Sequence, residues 1–478
     1  MKQVDYQSVM GRRNETMLSA LGLDYAPFLQ HPVTFDYEAL MAQVTYSLDT
    51  VREIQARVGV GNTPLIELRQ INRLVRMLAP KGKGARIFIK DEAANPSGSY
   101  KARRAALSMH HAKEAGFKGA VAATSGNYGA AVASQAAMRG LDCIVVQEVF
   151  DSLGIGQPEI LEKGRACEIY GAEVLQLSVG PELFYQFLRV LEETGYFNAS
   201  LYTPYAIAGV EPLGVEIVEQ MQAATGAAPD VVICTHAGGG NLTGTARGLQ
   251  KAGASQCKVV AASVDLSGLH MASDTDFNRK HFTTGHTGFG IPFASWPDRT
   301  DVPRNAARAL RYMDRYLLVK QGEVFYVTEA LARLEGLERG PAGNVALAAA
   351  IALAQEMEED QTIVVQETEY AGAGKQPSAQ LSFARERGIR IWRGDPEDEI
   401  PGAAVVIPDH PSRIKLRDVD LNRVRKSLIR KAAALMPDGR APDRDDINFL
   451  AAETRSNPAF VDDCLLIATS GTGSFESS

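Results

Sequence analysis

From residue 84 onward the apolar positions of this chain alternate between two spacings. Short runs at 85–90 (ARIFIK), 119–123, 143–147 and 174–177 read as buried strands, while 102–115, 128–138, 160–170 and 182–193 carry apolar residues at helical intervals. Glycines at 116, 140 and 171 stop the first three helices. A second run repeats the scheme with helix 210–224, strand 231–234, helix 243–251 and strand 259–264. Beyond a glycine-rich irregular stretch at 265–298, the pattern predicts helices near 303–315, 328–337 and 342–358, then a strand at 362–366. Strands with apolar cores alternating with helices predict parallel sheets covered on both faces. The expected fold class is therefore α/β, with two wound parallel-sheet domains and a ligand cleft between them at the carboxyl ends of their strands.

This division assigns 1–60 to an N-terminal arm of short helices, 61–95 and 206–400 to a large domain, and 96–205 to a small one, with a hinge near 202–209. Residues 401–478 form a C-terminal extension with a basic helix at 421–434, a polar stretch at 437–456 and a low-complexity end, TSGTGSFESS. Composition narrows the function. The 478 residues are 45% hydrophobic and 22% charged, and 50 basic against 57 acidic side chains leave a formal charge of −7, which argues against a nucleic-acid partner. Five scattered cysteines have no paired spacing, so neither a disulfide framework nor a zinc site is expected. The N-terminus lacks an apolar run of signal-peptide type and no stretch reaches 18 apolar residues, so the expectation is a cytoplasmic protein without a membrane partner.

Three loops carry candidate chemistry. Asn95-Pro96-Ser97-Gly98-Ser99-Tyr100-Lys101 follows a strand and opens a helix, which puts Lys101 in the first helical turn. The helix dipole repels a cation there, and repulsion with desolvation lowers an amine's pKa and suits it to Schiff-base chemistry. Thr124-Ser125-Gly126-Asn127-Tyr128-Gly129 offers hydroxyls, an amide and backbone N–H groups at a helix start, a site suited to a carboxylate. Gly238-Gly239-Gly240-Asn241-Leu242-Thr243-Gly244 follows the strand 231–234, and three glycines let the backbone approach a phosphate with no lysine of the loop's own. Neither GxxxxGK[ST] nor GxGxxG occurs. Taken singly, these are a solvated lysine, a plain N-cap and a surface loop; in this order they suit an amino acid joined as an imine to pyridoxal phosphate.

PSGSYK, TSGNYG and GGGNLTG in that order resemble the fold-type-II pyridoxal-phosphate enzymes, the group of tryptophan synthase β, threonine synthase and cysteine synthase, over roughly residues 60–400. The resemblance implies that Lys101 bonds the cofactor, that Asn127 holds its phenolic oxygen, and that Thr124, Ser125, Gly126 and Asn127 hold the substrate carboxylate. It further implies that Gly238, Gly239, Gly240, Asn241 and Leu242 form the phosphate loop and that Gly288-Phe289-Gly290 is the turn beside the cofactor. The strand at 362–366 should deliver the pyridine-nitrogen partner, which nominates Thr368; Gln366-Glu367-Thr368-Glu369 departs from the usual small-residue turn, so Glu367 stands as the alternative. A carboxylate there keeps the ring nitrogen protonated, whereas a hydroxyl leaves it largely neutral.

Over its whole length the chain is similar to the thiolase branch of this family. That similarity implies cleavage of 2-amino-4-oxopentanoate by coenzyme A, as co-substrate, to acetyl-CoA and alanine in ornithine degradation, with a small α subunit as partner and a homodimer of this chain. The alternatives are elimination or replacement on a hydroxy- or phospho-amino acid, as in threonine synthase or the dehydratases, and a catalytically silent binding subunit, against which the retention of Lys101 speaks. Whether the accepting thiol is coenzyme A or one of Cys143, Cys167, Cys234, Cys257 and Cys464 stays open, although none has flanks that mark a depressed pKa. His110-His111 reads as a solvated face, His236 as a turn cap or a site neighbour, and His286 as a candidate acid/base. The basic run 423–431 reads as a solvated face, with coenzyme A phosphates or the partner subunit as alternatives. No HExxH or GxSxG occurs.

Overall fold

The computed structural model describes residues 3–124, 126–151, 153–178, 180, 182–266, 281–283, 301–370, 376–434, 436 and 440–469. Strands β1 (Leu65–Glu67) and β2 (Arg86–Asp91) begin the larger sheet. The chain then builds a second sheet from β3 (Gly119–Thr124), β4 (Asp142–Phe150), β5 (Glu173–Ser178) and β6 (Phe197–Asn198), and returns to the first with β7 (Val231–Thr235), β8 (Lys258–Val264), β9 (Arg315–Val319) and β10 (Thr362–Glu367). Last come β11 (Arg390–Gly394), β12 (Ala404–Pro408) and β13 (Arg417–Asp418). The orders are β1-β2-β10-β7-β8-β9-β13 and β5-β4-β3-β6, and β11 and β12 form a separate parallel pair. All pairings in the four-stranded sheet are parallel; in the larger one only the edge strands β1 and β13 run antiparallel.

Alternation of side chains sends each strand into two cores. On one face of the larger sheet Ile87, Ile233 and Ile363 pack under the helix Pro341–Ala354, whose alanines let it approach closely and which is buried on nearly every side. On the other, Phe88, Val232 and Val364 pack against the helices Glu211–Thr225 and Gly240–Lys251 and against the C-terminal helix Leu421–Ala434. The smaller sheet is covered by Lys101–Glu114 and Asn127–Ala137 on one face and by Glu182–Thr194 on the other. The arm packs on the smaller sheet and the C-terminal helices on the larger, and Asp446 joins them by accepting from Thr34 N at 2.9 Å and Thr34 Oγ1 at 2.8 Å.

The α/β expectation is met, with departures in detail. In place of a helix over 303–315 the chain forms the short helix Ala309–Tyr312 and then β9, because an apolar run as brief as Tyr316-Leu317-Leu318-Val319 has no period that separates strand from helix. The next helix begins at Gln321 rather than near 328, fixed by Glu323, whose carboxylate accepts from Lys320 N at 2.7 Å. Within the polar stretch 437–456 lies a helix, Arg444–Glu453, capped by Asp443. The strand β13 extends the larger sheet into the segment read as an extension, and 204–208 is a buried helix capped by Thr203. The low-complexity end and most of 265–298 lie outside the described residues.

A buried charge cluster fixes the helix that starts at Lys101. Arg103 Nε lies 2.6 Å from Glu92 Oε2, just beyond β2, and its Nη1 and Nη2 lie 2.8 and 2.7 Å from the carboxylate of Glu216 on Glu211–Thr225. Lys90 Nζ completes the set, 2.8 Å from Glu216 and donating to Thr63 O at 2.6 Å. Two cations and two carboxylates, all buried, neutralise one another. Burial alone would raise the Glu216 pKa, but Arg103 and Lys90 outweigh it and hold it at about 2. Arg103→Ala leaves two buried carboxylates short of a partner and is expected to lower the unfolding free energy by about 3–5 kcal/mol in urea denaturation. A midpoint equal to wild type would show that the cluster does not hold this helix.

Candidate active site

The Lys101 loop is held in a strained turn. Ser97 and Gly98 both adopt left-handed backbone, φ +64° and +69°, which glycine tolerates and serine adopts at a cost. The residues beyond β10 clamp it: Tyr100 N donates to Thr368 O at 3.1 Å, and Tyr370 N to Gly98 O at 2.9 Å. Lys101 therefore opens its helix beside the carboxyl end of β10, an inner strand of the larger sheet, while Thr124 and Asn127 come from the end of β3 and the helix after it.

One cavity between the two sheets is lined by Lys101, by Thr124, Gly126 and Asn127, by Gly238, Gly239, Gly240 and Asn241, and by Thr368. Nine of the twelve predicted site residues thus meet in one space. Leu242 is buried in the core of the larger sheet. Ser125 lies outside the described residues, as do His286 and Gly288-Phe289-Gly290.

Glu367 does not line the cavity. Strand alternation turns its side chain to the helix Pro341–Ala354, where a β-carbon on Gly343 would fall 1.7 Å from Glu367 Oε1. Its neighbour Asp91 takes the guanidinium of Arg339, at 2.7 Å from Nε, and neither Glu367 oxygen has a partner. Burial, and then the charge of Asp91, push the Glu367 pKa well above the carboxylate range, which favours its protonated form.

The glycines of the cradle are each required by a contact. A β-carbon at Gly238 would lie 1.8 Å from the Tyr202 hydroxyl and one at Gly240 2.7 Å from Arg104 Nη2, and Gly239 has φ +81°. The cradle ends at the N-terminus of Gly240–Lys251, where backbone N–H groups and the dipole favour an anion. Asn241, buried beside it, has neither amide atom hydrogen-bonded. Glycine backbone at a helix start, beside an orphaned amide, fits the phosphate of pyridoxal phosphate.

Electrostatics suit the amine. Burial lowers the Lys101 pKa to about 8 against the opposing pull of Glu369, so a sizeable neutral fraction exists near neutral pH. Three further groups in the cavity escaped sequence reasoning. Glu369 accepts from Asn127 Nδ2 and lies 3.7 Å from Lys163 Nζ, which also pairs with Glu159. Burial would neutralise Lys163, but Glu159 and Glu369 outweigh it and keep it cationic. Glu148, with a pKa raised by burial to about 7, can give or take a proton near neutrality. Each sits at a strand end or on a helix without a motif around it, so only its place in the fold exposes it.

No cysteine lines the cavity; all five are buried, and burial pushes Cys143, Cys167 and Cys257 up to about 12. His236 is buried with its pKa lowered to about 4, packs edge-on against Tyr316 and does not line the cavity. His111 is not on a solvated face: it stacks on Tyr205 at 3.9 Å, half-buried.

Residues 56–369 match the family model described as pyridoxal-phosphate dependent enzyme, and the chain belongs to that family. Within it, the chain is 64% identical over 460 residues to the 2-amino-4-ketopentanoate thiolase beta subunit of Acetoanaerobium sticklandii, covering 96% of this chain and 98% of the relative. A protein of the same name from an unknown prokaryotic organism is 62% identical over 96% of this chain and 97% of its own. The threonine synthase of Halalkalibacterium halodurans is 33% identical over 41% of this chain and 50% of the relative. A solved mutant O-ureido-L-serine synthase with O-ureido-L-serine bound shares the fold, with TM-score 0.52 and 19% identity over 69% of this chain and 91% of that one.

The raised pKa of Glu367 carries a pH signature. Its folded pKa lies above the unfolded value near 4.5, so its stabilising effect is complete below that pH and is lost as pH rises towards the folded pKa, at up to about 1.4 kcal/mol per pH unit. Glu367→Gln removes the titration and is expected to be more stable than wild type at pH 8 with the difference shrinking by pH 4.5, measured by denaturant unfolding at both pH values. A difference independent of pH would show that the carboxyl is already ionised in the fold.

Proposed function

We propose that this chain is the catalytic, larger subunit of a pyridoxal-phosphate thiolase that cleaves 2-amino-4-oxopentanoate with coenzyme A to acetyl-CoA and alanine, a step of ornithine degradation. The observation that carries the reading is the convergence of Lys101, Asn127 and the triple-glycine cradle on one cavity, in a chain nearly two-thirds identical throughout to thiolase beta subunits. The threonine-synthase alternative rests on relatives that match only part of this chain at lower identity.

In this reading Lys101 would hold the cofactor's aldehyde carbon, Gly238 to Leu242 its phosphate, Asn127 its phenolic oxygen and Thr368 its ring nitrogen. Thr368, the nominated residue, suits that last role better than its alternative Glu367 because Thr368 faces the cavity and Glu367 does not. A hydroxyl partner leaves the nitrogen largely neutral. When bound, pyridoxal phosphate supplies an electron sink for carbanions of the substrate. Thr124, Ser125 and Gly126 orient the substrate carboxylate. The Lys101 amine would remove the Cα proton and later return it. Sulfur adds to the Cγ carbonyl, the Cβ–Cγ bond breaks, and Cβ gains a proton, so acetyl leaves on the thiol and alanine remains. Cysteines that are buried, with raised pKa values and away from the cavity, make poor acyl acceptors, which favours coenzyme A as the attacking thiol.

The relatives' designation as beta subunits implies an α partner; the finer points, that the partner is small and that this chain pairs with itself, belong to the proposal. Among the described residues no helix is long and apolar enough to cross a membrane.

The purified protein is expected to be yellow, and borohydride to fix the cofactor to Lys101. Capture by apoprotein should quicken as pH rises to about 8 and then level off, following the neutral amine. Lys101→Ala should lose the covalent label, and undiminished labelling would overturn the assignment. In a substrate panel acetyl-CoA should appear only with 2-amino-4-oxopentanoate, coenzyme A and the α subunit together. Ammonia and a keto acid formed without coenzyme A would replace the thiolase by a dehydratase.

A further inference from the structure

The glycine cradle has no cation of its own, yet a guanidinium stands against it. Arg104, one turn along the helix from Lys101, is only 2% exposed and lines the same cavity. Its Nη2 and Nη1 lie 2.7 and 3.0 Å from the position a β-carbon on Gly240 would take, at the first residue of the twelve-residue helix Gly240–Lys251. Nη1 donates to Leu201 O at 3.2 Å, the guanidinium lies 5.2 Å from the ring centre of Tyr100, and Nε has no partner. Glu148, Glu369 and Asp301 share the cavity, but no carboxylate among the described residues pairs with Arg104.

A buried cation without a counter-ion is costly in a protein interior, and the usual remedy is a bound anion. The contrast with the adjacent Arg103 is direct: that guanidinium is saturated by Glu92 and Glu216, while Arg104 faces the helix start unpaired. A planar donor set beside backbone N–H groups at a positive helix end matches a phosphate rather than a carboxylate already provided for at residues 124–126.

The geometry points to Arg104 as the charge partner of the cofactor's phosphate, a role that rests on the pyridoxal-phosphate reading above. Lys101 and Arg104 then hold the aldehyde and phosphate ends of one molecule from a single helical turn. That turn is in turn anchored by Arg103, so aldehyde and phosphate are positioned by one rigid element.

The test is binding of pyridoxal phosphate and of pyridoxal, which lacks the phosphate, to apoprotein by absorbance titration. Arg104→Gln should bind pyridoxal phosphate about 10- to 100-fold more weakly and pyridoxal as wild type does. Arg104→Lys, which keeps the charge in place, should recover part of that loss and serves where Arg104→Gln does not fold. Equal weakening of both ligands in either variant, or unchanged affinity for pyridoxal phosphate in Arg104→Gln, would overturn the assignment to the phosphate. Failure of the wild type to take up pyridoxal phosphate at all would instead strike the cofactor reading, and this inference with it.

Discussion

Charge balance in a dry interior governs this molecule. Arg103, Glu92, Glu216 and Lys90 carry four full charges away from water, and they persist because each carboxylate meets a cation at hydrogen-bond distance. Their geometric consequence is larger than their energy. The cluster ties β2, the helix Glu211–Thr225 and the helix Lys101–Glu114 at one point, so the amine of Lys101 has a defined height above the larger sheet. Removing one member leaves its opposite uncompensated, which is why the arrangement can only exist complete.

The same accounting separates anchoring groups from reactive ones. Where charges are balanced, as in the cluster or in the Asp91–Arg339 pair, the residues are structural. Where the balance is incomplete, the group faces the cavity or has a shifted pKa: Lys101 becomes a partly neutral amine, Glu148 a carboxyl titrating near neutrality, Arg104 a buried guanidinium with an unpartnered Nε, and Glu367 a carboxyl whose pKa is pushed up by burial. Lys163 remains charged because Glu159 and Glu369 hold it so, across the space between the two sheets.

The accessory segments fit this division. The N-terminal arm packs on the smaller sheet and the C-terminal helices on the larger, leaving the cavity between them lined by loops at strand ends. Ion pairs such as the buried Arg308 with Glu453 and the more exposed Arg247 with Glu38 join arm, sheet and extension. The basic helix Leu421–Ala434 buries Val424, Leu428 and Ile429 against the larger sheet, so its apolar stripe is committed to the fold.

Period and punctuation in the chain were enough for the wound α/β architecture and for three loops, because strand-to-helix junctions with glycine, proline and hydroxyl residues are local events. Lys101, Asn127 and Gly238–Asn241 were legible for that reason. The strand β9 and the helix Arg444–Glu453 were not, since a short buried run has no readable period and a polar helix has no apolar stripe strong enough to announce it. Only tertiary structure shows that Thr368 lines the cavity while its neighbour Glu367 lies beneath a helix, because strand alternation sends adjacent side chains to opposite faces. It also separated Arg103 from Arg104: neighbours in sequence and alike in chemistry, they differ by about 100° around the helix, and that rotation puts one among carboxylates and the other against the glycine cradle.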